Sequence, residues 1–101
     1  MLKIIEKATN PEEFVGICKK YHVMPIPQPT MVFSQIVEKL YEKNSEDNYA
    51  IGNGETGIEI LCYSDKKELV NYCKKNNIEM LSLVNKDGSA RCGRLEHFLH
   101  D

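Results

Sequence analysis

The sequence predicts an α+β domain with an antiparallel-rich sheet, in the order β-α-α-ββ-α-ββ. Two turn signals carry this prediction. Asn53-Gly54 and Asp87-Gly88 each separate two apolar runs, and such pairs supply the positive φ angles that tight hairpins need. One amphipathic segment lies between the two hairpins, and a further β-then-α unit precedes them. A length of 101 residues is typical of one domain, which we expect to span residues 1–101.

The first strand and helix have clear local signals. Residues 2–7 alternate weakly between apolar and polar, which is typical of a strand. Asn10-Pro11 predicts a helix start, because asparagine caps helices and proline suits the first helical position. Apolar residues then recur at helical spacing, so this helix is expected to end near His22.

A proline-rich segment separates the first helix from the second. Residues 24–29 hold three prolines and favour an extended, polyproline-like path, which is a stiff connector first and a ligand for proline-binding domains second. Thr30 is expected to cap the second helix, whose wide apolar stripe ends near Asn44.

The second half of the chain predicts the two hairpins and a third helix. The first hairpin covers about residues 49–63, and Ser64 or Asp65 then caps the helix. Two asparagines at residues 76–77 end it. The second hairpin follows, and apolar spacing over residues 95–99 predicts a closing helical turn.

Without the second helix and the last strand, the order becomes β-α-β-β-α-β. This is the split βαβ order of ferredoxin-like domains, so the fold is expected to be a variant with an extra helix and an extra C-terminal strand. Right-handed crossovers would place the first and third helices on one sheet face. The likeness concerns the fold alone and carries no function.

Composition indicates an ordinary globular chain without a strong charge signal. The apolar fraction is 42%, the charged fraction is 28% and the net charge is −2, so overall charge does not favour nucleic acid or an anionic membrane. No apolar run approaches the ~20 residues of a membrane span, and charges interrupt the start too early for a signal peptide. We therefore expect a cytoplasmic protein with free thiols acting as small core hydrophobes: Cys18, Cys62, Cys73 and Cys92.

The predicted sheet has one face that is too apolar to be exposed to solvent. Alternation places Leu61, Tyr63, Leu81 and Leu83 on the face opposite to Ile58 and Ile60, with Ile5 expected to join them. Either the second helix or the C-terminal turn covers this face, or a partner protein or a second copy of the chain does.

Three motifs were weighed for chemistry and favour structure instead. Residues 52–57 spell G-x-G-x-x-G, but a dinucleotide site needs a helix afterwards and here a strand is predicted. A zinc site lacks a compact ligand pair, although its candidate ligands are Cys18, His22, His97 and His100. Cys62 precedes a helix start, which would lower a thiol pKa, but no histidine is near it in sequence.

Basic residues suggest two further surfaces. Three lysine pairs lie on the solvent sides of the first and third helices, which the predicted fold places beside each other, so they are expected to form one basic ridge: Lys19-Lys20, Lys66-Lys67 and Lys74-Lys75. Arg91 and Arg94 lie three apart on the last strand, so they are expected to point to opposite faces unless Gly93 forms a bulge. Charge on an edge strand also protects it from unwanted pairing.

Because the sequence lacks a phosphate-binding loop in the right context, a metal cluster and a catalytic dyad, it is more typical of a binding module with a regulatory or inhibitory role than of an enzyme. It would present a sheet face or edge to a protein partner or a second copy, and it indicates no cofactor and no metal. The candidate partner-binding residues are Leu61, Tyr63, Leu81, Leu83, Arg91 and Arg94. Two alternatives stay open: a nucleic-acid-binding regulator that uses the lysine ridge, and a small enzyme or small-molecule sensor with a pocket near Cys62 and the Asn53 hairpin.

Overall fold

The computed structural model describes residues 2–99 and confirms the α+β class and the predicted element order. The elements are β1 Lys3–Ala8, α1 Pro11–Tyr21, α2 Pro29–Lys43, β2 Asn48–Gly54, β3 Gly57–Tyr63, α3 Lys66–Lys75, β4 Ile78–Val84, β5 Ala90–Arg94 and a 3₁₀ turn at Leu95–Phe98. The closing turn expected from the spacing of residues 95–99 is therefore present, in the tighter 3₁₀ form.

The strands form one five-stranded sheet in the order β1-β3-β2-β4-β5, and all neighbouring strands are antiparallel. The connection from β1 to β2 passes over β3, and the connection from β3 to β4 passes over β2. The sheet thus contains two split βαβ units, the arrangement that the predicted element order suggested.

The predicted placement of the first and third helices on one face is wrong. The helices α1 and α2 pack on one face, which we call the first face, while α3 and the 3₁₀ turn pack on the second face. Both crossovers step the same way across the sheet, yet β3 runs antiparallel to β1. Right-handed crossovers that start from opposite strand directions lie on opposite faces, so the strand order itself explains the arrangement.

The first face carries the larger core. Its fully buried members include Phe33 and Ile36 of α2 and Ile60 of β3. The Tyr41 hydroxyl donates a 2.6 Å hydrogen bond to the Val84 carbonyl and accepts a 3.1 Å bond from the backbone N–H of Tyr49. This phenol joins α2 to β2 and β4, so the helix cannot slide along the sheet without breaking two buried bonds.

The second face is closed by the chain itself. Leu61 and Leu81 have no exposed surface and pack with Leu69 and Cys73 of α3 and with Phe98 of the C-terminal turn. Of the covers considered from the sequence, the C-terminal turn therefore contributes and the second helix does not. The main cover is α3, which had been expected on the other face.

Two details of strand parity also differ from the prediction. Ile5 packs against the first-face core, because the register of β1 shifts between Ile4 and Glu6. Ile78 packs in the second-face core, because a similar irregularity interrupts the pairing of β2 with β4. The alternation of apolar and polar residues in the sequence does not show where a strand contains an extra, unpaired residue, so it mispredicts the face of the residues beyond it.

The helix starts are set by local hydrogen bonds. The Asn10 side chain accepts a 2.9 Å bond from Glu13 N–H, and the Asp65 side chain accepts a 2.9 Å bond from Lys67 N–H, so both predicted caps are confirmed. The expected cap at Thr30 is wrong. The N-cap is Gln28 and the second helix begins at Pro29, two residues earlier than a cap at Thr30 implies, because proline already holds a helical φ at the first position.

The first hairpin turns two residues later than predicted. Gly54 still pairs with Gly57, so the turn is Glu55-Thr56 and the positive φ of +128° belongs to Gly57. Gly54 has a different role, since a Cβ there would lie 2.4 Å from the Asn77 carbonyl oxygen. The second hairpin is confirmed, with Gly88 at φ +89° and the Asp87 side chain accepting a 2.9 Å bond from Ser89 N–H.

The proline segment is not polyproline-like. Ile26 N–H donates to Met24 O at 3.0 Å, and Gln28 N–H donates to Ile26 O at 2.8 Å. These i to i+2 bonds close two successive γ-turns, centred on Pro25 and Pro27. A γ-turn suits the fixed φ of proline, and the resulting zigzag does not offer the extended face that proline-binding domains recognise.

Candidate functional site

The outermost strand β5 is the most accessible regular part of the sheet. Its residues are exposed except for Gly93, which is half-buried, and its register with β4 is continuous from Ala90 to Arg94. Within the described part of the chain no strand pairs with its outer side. The β5 edge, defined as Ala90–Arg94, therefore offers a straight row of backbone hydrogen-bonding groups.

The opposite edge of the sheet differs in kind. The register shift near Ile4 and Glu6 breaks the regular spacing of β1, and Lys3 and Lys7 are exposed along it. Bulges and lysines are the features by which edge strands avoid pairing with other chains. Because β5 has no bulge, it is the edge better suited to accept another strand.

Arginines flank the β5 edge on both faces. Arg91 is paired with Leu83 and Arg94 with Met80, which places the two side chains on opposite faces, as predicted. The Arg91 guanidinium lies 4.8 Å from the centre of the Phe98 ring, a cation–π contact that holds it beside the strand.

Gly93 allows the C-terminal turn to pack across β5. A Cβ at this position would lie 3.4 Å from the His97 ring and 3.7 Å from the Phe98 ring. The turn therefore sits close against the strand on the second face, and it fixes Phe98 beneath Arg91. The backbone of β5 is thus supported from one side.

The predicted apolar contact surface is mostly absent from the exterior. Leu61 and Leu81 are fully buried in the second-face core, so the folded chain does not offer them to a partner. Tyr63 and Leu83 are half-buried at the margin of the same core. Of the six candidate partner-binding residues, Arg91 and Arg94 are the exposed ones.

The lysine ridge does not form as predicted. Because α1 and α3 lie on opposite faces, Lys19 and Lys20 are separated from the lysines of α3. Lys20 makes a 2.7 Å ion pair with Glu6. On α3, a cavity of about 310 Å³ beside Phe98 is lined by Lys66, Lys67 and Lys74, and Lys75 is not part of its lining.

A pocket does lie beside Cys62, but the thiol is not activated. The cavity has a volume of about 600 Å³ and is also lined by Asp47, Tyr49 and Ser64. Burial raises the pKa of the Cys62 thiol, and the Asp47 carboxylate raises it further. Its register places Cys62 opposite Tyr49, at the end of the first hairpin away from Asn53, so among the described residues this pocket lies on the predicted hairpin but is not lined by Asn53.

A second cavity at the turn end of this hairpin was missed by sequence reasoning. It has a volume of about 470 Å³ and lies between the hairpin, the start of α1 and the proline segment, with Phe14, Ile26 and Ile58 among its walls. We call it the apolar cavity. In the sequence its parts are a glycine-rich turn and a proline-rich connector that lie far apart, and only the fold brings them together.

The remaining motifs are structural. Residues 52–57 form the end of β2, a turn and the start of β3, so no helix N-terminus follows the glycines. Among residues 2–99, no three histidine, cysteine or acidic side chains are grouped so as to hold a metal ion. His100, one of the candidate zinc ligands, lies outside the described residues. All four cysteines are free, but Cys92 is exposed on β5, so its assignment to the core is wrong.

These features define a small α+β domain whose sheet is covered on both faces and accessible at the β5 edge. No family model, no curated protein and no solved structure matches this chain significantly. Within the described range, no helix is both long and apolar enough to cross a lipid bilayer.

Proposed function

We propose that the protein is a small protein-binding module with a regulatory or inhibitory role, and that it binds an extended segment of a partner protein along the β5 edge. The observation that carries this proposal is the regular, exposed register of Ala90–Arg94 at the outside of the sheet. Strand addition takes its affinity from main-chain hydrogen bonds and its specificity from alternate side chains.

The two arginines indicate which segments would bind. A partner strand beside β5 would place its side chains alternately above and below the sheet, next to Arg91 on the second face and Arg94 on the first. Guanidinium groups bind carboxylates in a planar, two-pronged way. The partner segment is therefore expected to carry acidic residues on both of its faces.

Charge also disfavours the other occupants of this edge. A second copy pairing through β5 would bring two arginines from each chain to the same seam, and like charges that face each other are destabilising. Nucleic acid would need a continuous basic surface, whereas Lys19-Lys20 and the α3 lysines lie on opposite faces and the net charge is −2.

The test is affinity capture with four baits from an extract of the cells that make the protein. The wild-type chain is compared with the double variant Arg91→Glu, Arg94→Glu, and with the double variant Lys3→Glu, Lys7→Glu on the β1 edge. Because Arg91 also contacts Phe98, the single variant Arg94→Glu is added, which leaves that contact intact. Circular dichroism establishes that each bait is folded.

The proposal expects a partner that wild type and the β1-edge variant retain and that both β5-edge variants lose. Hydrogen exchange on the purified complex should then slow at the backbone amides of Ala90–Arg94, because pairing protects them. Equal loss of the partner with the β1-edge variant, or unchanged exchange in β5, would overturn the proposal.

A further inference from the structure

We propose that the apolar cavity is a binding site for an uncharged, largely apolar small molecule that presents one hydrogen-bonding group to Asn53. This site is distinct from the β5 edge, since no residue of β5 lines it. The cavity has mostly apolar walls, its walls are held in place by packing and proline, and one amide among them is unpaired.

The walls of the cavity are apolar and carry no charge. Phe14, Ile26 and Ile58 are the largest apolar side chains in the lining, and none of the lining residues is acidic or basic. A volume of about 470 Å³ falls within the usual range of small-molecule sites. A charged ligand would lose hydration on entering and find no counter-charge in the walls, so the site selects neutral molecules.

The walls are also held in place before any ligand arrives. The Phe14 ring stacks on the buried Phe33 ring, with 5.8 Å between centres and 20° between planes. Pro27 and Pro29 have fixed φ angles, and Pro27 is the centre of a hydrogen-bonded γ-turn. A cavity with rigid walls binds without first spending free energy on ordering its side chains.

One side of the cavity is closed where the backbone of the first hairpin lies very close to the end of β1. Gly57 lies so close to β1 that a Cβ at that position would be 2.2 Å from the Ala8 carbonyl oxygen. Both residues line the cavity. The glycine-rich turn therefore serves to bring the hairpin against the end of β1, where it completes the wall.

Asn53 supplies the polar group. It lies on β2 directly opposite Ile58, so the two side chains share the first face, and both line the cavity. Its half-buried side-chain amide makes no hydrogen bond to another described residue, and because no fully buried polar side-chain atom among these residues lacks a partner, the amide is accessible to a ligand. An amide both donates and accepts, so it fits a hydroxyl or carbonyl group on an otherwise apolar ligand.

The site is tested with three probes that share a benzene ring and differ in charge: benzyl alcohol, benzylamine and benzoate. Binding is followed through backbone amide resonances of the ¹⁵N-labelled protein. Benzyl alcohol should shift the resonances of Asn53 and Gly57, with a dissociation constant on the order of 1 mM for so small a ligand. The two charged probes should bind at least about tenfold more weakly, since each must lose hydration.

A matched pair of variants tests the role of the amide. Asn53→Leu keeps the side-chain size and removes the hydrogen bond, so benzyl alcohol should bind about fivefold more weakly. Asn48→Leu makes the same change at the other end of β2 and should leave the affinity unchanged. The amide spectrum of each variant shows directly whether the variant is folded. If Asn53→Leu does not fold, the relative affinities of the three probes for the wild-type protein test the proposal.

Three results would overturn the proposal. They are no shift at Asn53 or Gly57 with benzyl alcohol, equal or tighter binding of a charged probe, and equal weakening by Asn48→Leu. A response of the β5 resonances instead would place the ligand elsewhere. None of these results bears on strand addition at the β5 edge, which is measured with a protein partner.

Discussion

The Tyr72 hydroxyl donates a 2.6 Å hydrogen bond to the carboxylate of Glu59, a side chain with only 1% of its surface exposed. Burial raises the pKa of the Tyr72 phenol, and the bond to Glu59 raises it further, so the phenol stays protonated as the donor. The Tyr72 hydroxyl on α3 thus supplies the hydrogen bond that allows Glu59 to be buried on the second face of the sheet.

This pair predicts an unequal response to removal of a phenol hydroxyl. Tyr72→Phe should lower the free energy of unfolding by about 1–3 kcal/mol, because a buried carboxylate would lose its donor. Tyr21→Phe is the matched control: it removes a similar 2.6 Å bond to Glu6, but Glu6 keeps its ion pair with Lys20. Urea denaturation should therefore show a smaller loss for Tyr21→Phe, and equal losses would contradict this account.

Neighbouring residues of β4 should differ sharply in their tolerance of charge. Leu81 is 0% exposed and Met80 is 44% exposed. Leu81→Glu would place a carboxylate in the core at a cost of several kcal/mol, enough to unfold a domain of ordinary stability, whereas Met80→Glu keeps its charge in water. Circular dichroism should show loss of folding for the first variant only. A folded Leu81→Glu monomer would mean that the second face is not the chain's own core.

Two glycine substitutions should have opposite signs. Gly57→Ala places a Cβ against the Ala8 carbonyl at a residue with φ +128°, so it should destabilise the protein strongly. Gly16→Ala lies within α1 where no atom would meet the new Cβ, and it should stabilise the protein by about 0.5–1 kcal/mol. Thermal unfolding of the two variants measures both effects, and destabilisation by Gly16→Ala would contradict the open space beside it.

Alkaline conditions should weaken the fold partly through Cys73. Burial raises the pKa of this thiol to about 12 from an ordinary value of 9.0, and nearby Glu59 adds to the effect. The folded state thus binds the proton more tightly than the unfolded state, so its contribution to stability is complete below about pH 9 and is lost as the pH rises towards 12. Unfolding in urea from pH 8 to 11 should show a smaller pH-dependent loss for Cys73→Ala than for wild type. An identical slope would exclude this thiol.

Thiol reactivity should follow exposure. In the native state at pH 8, Cys92 should react first with a disulfide reagent, Cys62 more slowly, and the buried Cys18 and Cys73 only on unfolding. In denaturant without reductant, all four thiols should titrate. Recovery of two or fewer would reveal a disulfide and contradict the free cysteines of the structure.

Features that depend on residues close together in the chain could be predicted from the sequence. The caps at Asn10 and Asp65 depend on side chains within three residues of the helix start, and both were predicted. The Asn53-Gly54 turn was misplaced because Gly54 and Gly57 both suit a turn, and only contacts with Asn77 and Ala8 determine their roles. Those contacts join residues far apart in the chain.

The face covered by α3 could not be read from the sequence for the same reason. It depends on whether β4 pairs beside β2 or elsewhere in the sheet, and every apolar pattern in the chain suits either choice. The position of β4 also determines which of the predicted partner-binding residues are exposed. Leu61 and Leu81 were recognised as unsuited to solvent, but their cover proved to be α3 and Phe98, which leaves the arginines of β5 as the exposed part of the predicted surface.

A sheet covered on both faces also constrains how this sequence can change over evolution. Four consecutive residues of β3, at positions 58–61, are buried: Ile58 and Ile60 face α1 and α2, and Glu59 and Leu61 face α3 and the 3₁₀ turn. A sheet with one solvent-exposed face accepts polar replacements at every second position, but no position in this block is open to solvent, and its one polar side chain, Glu59, requires the hydrogen bond from Tyr72. Divergent versions of the protein should therefore keep an unbroken block of buried residues in β3, whereas on β5, which is exposed, the proposed partner and not burial would limit the variation.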